Sequence, residues 1–240
     1  MLLALLLAAA PTVADANAAG MKLYQARRYP EAIAAFQKAI ELEADQPSTK
    51  EQVAQTRALA LAHFNLGCAL ALARKAGKTC EVNAYLPTIW EHVLKSIALD
   101  PNRFEKALTD SDLAVLRETL RYQSLLGLSP ARESDLPKLL PLITWYGAGE
   151  GAFGSTRSMR FTAKGGVSLS LRLPNADGLP TDAYSFEGRW TLKGRELKLV
   201  FPKNLPGLDV RELTFSFTPE GTLGSGPWSS FSDGDSECEA

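Results

Sequence analysis

Two histidines, three cysteines and one glycine-rich run are the residues of this chain whose types and spacing could do chemistry. His63 and His92 each fall in a predicted helix, so the two rings could approach one another. A metal site would need further ligands, and the expectation is that both histidines pack rather than coordinate. The run Gly149-Glu150-Gly151-Ala152-Phe153-Gly154 matches GxGxxG after a predicted strand. A dinucleotide site needs a helix next, with its N-terminus facing the pyrophosphate, and an acid about 20 residues on. A strand and a Gly165-Gly166 turn follow instead, so the run reads as a glycine-rich connection. Glu150 is a candidate acid with no positioned partner. CxxC, HExxH, Walker and GxSxG motifs do not occur. The acidic tail, residues 233–240, lacks the spaced ligands and turn glycine of a calcium loop and reads as a solvated terminus. No catalytic residue, metal or cofactor is therefore expected.

The cysteines, Cys68, Cys80 and Cys238, gain meaning from the first residues, MLLALLLAAAPTVADA. Residues 2–10 are apolar but too few to span a bilayer, which takes about 20. They fit the core of a signal peptide occupying 1–16, and Ala14-Asp15-Ala16 fits small-x-small cleavage. The alternative is that residues 2–19 are simply the first hydrophobic helix. The mature chain is expected to carry no transmembrane segment and to be exported, either periplasmic or secreted. Disulfides form in such a compartment. Cys68 lies in a predicted helix and should be buried. Cys80, in an insertion, and Cys238, in the tail, are free enough to meet, and Cys80–Cys238 is the expected bridge.

The elements that would position any site begin at residues 20–42, GMKLYQARRYPEAIAAFQKAIEL. This stretch reads as two helices joined by a turn at residues 27–30. Ala32, Phe36 and Ala39 are spaced four and three apart and share one helix face. Gly20 and Ala32 lack bulk and would let the helices approach, while Tyr29 sits at the turn. This layout resembles the tetratricopeptide (TPR) repeat. It departs from that pattern at Ala16, where a large aromatic is usual, and in its helix-stopping proline, displaced to Pro47.

A second, distorted copy carries His63-Phe64-Asn65-Leu66-Gly67 on its first helix and Lys95-Ser96-Ile97-Ala98-Leu99-Asp100-Pro101 at the end of its second. An insertion of about ten residues separates them, around 76–86. Ser48 and Glu51 form a capping-box pattern, and the helix after them is expected over 49–75. Residues 107–127, ALTDSDLAVLRETLRYQSLLG, resemble the TPR end-of-group segment. Together these resemblances cover about half the chain and imply a helical domain over residues 17–128.

Three prolines in SPARESDLPKLLPL suggest a linker over 129–141. Beyond it the period changes to two: Val167, Leu169, Leu171 and Leu173, then Leu197, Leu199 and Phe201, then Leu213, Phe215 and Phe217. Lys164-Gly165-Gly166 and Lys193-Gly194-Arg195 read as hairpin turns. Six or seven short antiparallel strands are expected over 142–232. Residues 184–199, with Gly188, Trp190 and alternating leucines, resemble a hairpin of lipocalin-like barrels. The predicted fold is α+β in two segregated domains, antiparallel helical repeats followed by an antiparallel β sandwich or barrel.

A formal net charge of -1 offers no field for nucleic acid or an anionic membrane. The TPR resemblance implies an exported adaptor or scaffold that binds a protein or peptide, with no enzymatic activity. Partners of such repeats lie against the first helix of each repeat, which implies contacts at Asn17, Met21, Tyr24, Gln25, Phe64 and Asn65. Met21, Tyr24 and Phe64 serve equally well as core residues. Of the lysine–asparagine clamp that holds a C-terminal carboxylate in one subclass, only Asn65 matches. An alternative is a carrier of a small apolar ligand in the β domain, lined by Trp145, Trp190 and Trp228, although a barrel of this size is normally filled by its own side chains. A hydrolase ranks last for want of a nucleophile–base pair.

Overall fold

The computed structural model describes residues 12–44, 52–147, 157–174, 180–205, 209–224 and 230–234. They divide between two compact units, Met1–Leu113 and Ala114–Ala240.

In the first unit, helix α1 (Val13–Gln25) begins where Thr12 and Asp15 form a capping box. The Thr12 hydroxyl accepts from the Asp15 N–H and the Asp15 carboxylate accepts from the Thr12 N–H, so two orphan donors are satisfied. Val13 is buried against Ala39 and Ala62. The tripeptide Ala14-Asp15-Ala16, expected as a processing site, thus forms the first turn of this helix. Helix α2 (Tyr29–Ala44) returns antiparallel to it, with Ala32, Phe36 and Ala39 fully buried, which is the predicted face. Helices α3 (Gln52–Lys75) and α4 (Leu86–Leu99) form the next pair, and the short α5 (Arg103–Thr109) follows. Length and apolar composition would let Ala54–Lys75 cross a membrane, yet 67% of its most apolar window is buried inside this unit. The expected capping pair Ser48 and Glu51, and Pro47, lie outside the described residues.

Both helix pairs close on a glycine. A Cβ at Gly20 would stand 2.5 Å from the Phe36 ring, and one at Gly67 would stand 3.0 Å from Val93. Phe36 on α2 and Val93 on α4 are themselves buried. A side chain at Gly20 would overlap the Phe36 ring, and one at Gly67 would need Val93 to give by a few tenths of an ångström, so the glycines allow the close approach of each pair.

The second unit is a closed antiparallel barrel of eight strands in consecutive order. The strands are β1 (Thr144–Gly147), β2 (Arg157–Phe161), β3 (Gly166–Pro174), β4 (Pro180–Lys193), β5 (Glu196–Val200), β6 (Glu212–Phe217), β7 (Leu223–Gly224) and β8 (Phe231–Ser232). Strand β8 pairs back onto β1 through Gly147 and Phe231, so among the described strands none is left as an edge for unwanted pairing. Of the sandwich and the barrel, the structure takes the barrel. Its interior is the period-two set: Val167, Leu169, Leu171, Leu197, Leu199, Leu213, Phe215 and Phe217 are all buried. Gly165 and Gly194, in the two expected hairpin turns, have positive φ.

The segment 129–141 does more than connect. Glu133–Asp135 and Leu140–Leu142 are single 3₁₀ turns, and α7 (Leu136–Leu139) lies between them. Pro137 and Pro141 each stand in a first helical turn, where the missing N–H costs nothing. These prolines therefore start short helices where they had been expected to mark a linker. Leu136, Leu139 and Leu140 are fully buried and belong to the same core as Trp145 and Phe215. Arg195 ties the segment down by donating to the carbonyls of Pro130, Ala131 and Phe217. Ahead of it, α6 (Leu120–Leu125) is capped by the Thr119 hydroxyl and contributes Leu120 to that core.

Candidate functional site

Periodicity places Asn17, Met21 and Tyr24 on one stripe of α1, and Phe64, Asn65 and Cys68 along α3. The packing of α1 against α3 brings several of them together. The Asn65 amide donates to Asn17 Oδ1 at 3.0 Å, and Asn17 is buried. The Tyr24 hydroxyl donates to the Asp112 carboxylate in a short hydrogen bond, and its ring meets Tyr29 edge-on at 5.9 Å. Phe64 is 2% exposed. Arg103 and Lys106, one turn apart on α5, lie over its ring at 5.6 and 5.3 Å from the centroid, within cation–π range. Met21 is half-buried and Gln25 is exposed.

Four of the six residues expected to receive a partner thus already have partners within the unit. Residues 103–112 cover Tyr24 and Phe64. Arg103, Lys106 and Asp112 were not singled out from the sequence. Asp112 does lie in the Asp-x-Asp-Leu core of residues 110–113, and that motif was the available signal. Asp110 Oδ1 accepts from the Asp112 N–H at 3.0 Å, which orients the carboxylate beside Tyr24.

The electrostatics follow from burial. Desolvation, and then the hydrogen bond to Asp112, push the Tyr24 phenol far above its ordinary range. Burial, followed by the charges of Asp110 and Asp112, raises the Cys68 thiol likewise. A thiol held protonated is a poor nucleophile, and Cys68 is a free, buried cysteine. Cys80 is disulfide-bonded. Cys238 lies outside the described residues.

The two histidines meet at the α3–α4 contact. Their Nδ1 atoms are 3.0 Å apart, with ring centroids separated by 5.2 Å and planes inclined by 28°. Burial, and then the neighbouring His92, lower His63 to about 4. His92 is lowered for the same first reason. Among the described residues no group of three or more His, Cys, Asp or Glu side chains could hold a metal ion.

In the barrel, Trp145 is fully buried, edge-on to Phe217, and belongs to the packed interior. Trp190 is half-buried on β4, donates to the Thr162 carbonyl at 3.1 Å and stands edge-on to Phe161. The barrel does not bring these two indoles to a common cavity: one is core and the other belongs to a hairpin contact. Trp228, Glu150 and the run 149–154 lie outside the described residues. An open apolar groove of about 380 Å³ crosses the wall at Glu187, Gly188, Arg189, Val200, Phe201 and Pro202. A smaller hollow of about 160 Å³ lies beside Glu118, Leu142 and Phe161. There the Glu118 carboxylate accepts from the Thr144 hydroxyl at 2.6 Å and from Arg160 at 3.3 Å.

Comparison with known proteins returns no matching family model, no matching curated protein and no matching solved structure.

Proposed function

We propose that the chain is an exported adaptor or scaffold of the cell envelope, whose helical unit is a protein-binding module of the tetratricopeptide kind. One observation carries this reading. Two successive antiparallel helix pairs each close on a glycine, and their first helices pack on each other, where the Asn65 amide donates to Asn17. Repetition of one packing device in tandem is how repeat modules extend a surface. On this reading the buried Phe64 and Asn17 set the shape of the face, and residues 103–112 form one wall. A peptide or protein partner approaches along the open margin at Met21 and Gln25. Cys80 and Cys238 would form the bridge expected in an oxidising compartment.

The test is site-specific photocrosslinking in the full chain, expressed with its N-terminal run. A photoreactive residue at the exposed Gln25 is compared with one at the exposed Lys38 of α2. A discrete protein adduct at 25 and none at 38 is expected. Equal labelling at both positions, or none at 25, would remove the adaptor reading.

A carrier of small apolar ligands draws its support from the groove at Val200 and Phe201. The geometry favours it less, because Trp145 and the barrel interior are packed by side chains. Quenching of Trp190 emission by an apolar probe would raise its standing.

A further inference from the structure

His63 and His92 are the only histidines in the chain, and the fold sets them face to face. The geometry is more specific than aromatic packing. A centroid separation of 5.2 Å with an Nδ1–Nδ1 distance of 3.0 Å puts both nitrogens between the rings, near the line that joins them. The in-plane lone-pair directions therefore oppose each other. With both rings neutral, one N–H lies between the two nitrogens and the remaining lone pair accepts it.

We propose that this pair is a binding site for a soft monovalent d¹⁰ cation, Cu(I) or its redox-inert analogue Ag(I), held in two-coordinate linear geometry by the two Nδ1 atoms. Three observations favour that class. The donors are head-on and neutral, which suits two-coordination. No third His, Cys, Asp or Glu completes a set among the described residues, so the four ligands of a protein zinc site are not assembled. Imidazole is also an accepted ligand for copper. Binding requires one adjustment. A metal–imidazole bond is about 2 Å long, so the nitrogens must separate to about 4 Å. His92 is half-buried, so its side chain has the freedom that His63, 5% exposed, lacks. The charge introduced is a single positive one, with Glu91 and Lys95 of α4 nearby, one offsetting it and the other opposing it.

The protons balance without release. The bridging proton leaves Nδ1 of one ring and the same ring takes a proton at Nε2. Each neutral imidazole then donates one Nδ1 lone pair to the cation.

The experiment is calorimetric titration of the full chain with silver nitrate in a chloride-free, non-coordinating buffer. It is run in a Cys68→Ala background, so that the only free cysteine among the described residues does not compete. Zinc nitrate serves as the comparison cation, and ¹⁵N spectra report the imidazole nitrogens. One equivalent of Ag(I) is expected to bind with micromolar or tighter affinity, moving both Nδ1 resonances. Zinc should bind at least tenfold more weakly. His92→Gln, at a half-buried position that tolerates the change, should weaken Ag(I) at least tenfold. Saturable binding that survives His92→Gln, zinc bound as tightly as silver, or no binding at all would overturn the proposal and leave the pair as a hydrogen bond between two buried rings.

Discussion

Tyr24 and His63 show how one side chain reports the environment the fold builds around it. Tyr24 sits on a predicted partner-facing stripe, yet its hydroxyl is already given to Asp112. A hydrogen bond to a charged group contributes about 1.5–3 kcal/mol. Tyr24→Phe should therefore destabilise the helical unit by about 2 kcal/mol, and Asp112→Asn should be strongly non-additive with it in a double-mutant cycle read by urea unfolding. Additive losses would mean that the contact carries little energy. His63 makes a pH prediction. An unfolded imidazole titrates near 6.5, while burial beside His92 holds His63 at about 4. Between those values the unfolded chain binds more protons, so stability falls as pH drops from about 6.5 toward 4. His63→Gln should flatten that part of a plot of urea midpoint against pH, and an unchanged slope would place the titration elsewhere.

At the level of elements, small residues and prolines carry more information than their size suggests. Gly20 was legible in the sequence as a close crossing, and a side chain there would enter the Phe36 ring. In an isolated helix Gly→Ala is favourable by about 1 kcal/mol. Overpacking against a fully buried ring costs about 1–3 kcal/mol and should dominate. Gly20→Ala is thus expected to lower the urea midpoint of the helical unit, whereas a rise would show that the pair can spread apart. The prolines were read as breaks. Pro137 and Pro141 occupy first-turn positions, and local sequence cannot distinguish a proline that opens a helix from one that ends structure. The consequence is testable at Leu139, which is fully buried. Leu139→Ala should cost about 2–5 kcal/mol, the range for a truncated core leucine. A loss under 1 kcal/mol, read by thermal melting, would return the segment to the status of a tether.

For the whole molecule, the division falls at Leu113 and Ala114, ahead of the expected boundary at 128. The difference arises because Leu120, Leu136, Leu139 and Leu140 complete the barrel core. A barrel this small leaves little margin once a fifth of its large core side chains is removed. Residues 114–240 expressed alone should therefore unfold in one cooperative transition, while residues 142–240 should be aggregated or molten. If the shorter fragment melted as cooperatively as the longer one, the preceding helices would be dispensable.

What the amino-acid order determined by itself was local. Period 3.6 against period two separated helices from strands, glycine and alanine marked the close crossings, and Lys164-Gly165-Gly166 and Lys193-Gly194-Arg195 marked two turns. These signals lie within a few residues of what they specify. The tertiary structure decided which surfaces meet. It gave Tyr24 to Asp112 and Phe64 to Arg103 and Lys106, closed β8 onto β1 through Phe231 and Gly147, and set His63 against His92. Each of these joins positions far apart in the chain. The pairing is selected by the joint burial of several elements, a many-body balance that no local window contains.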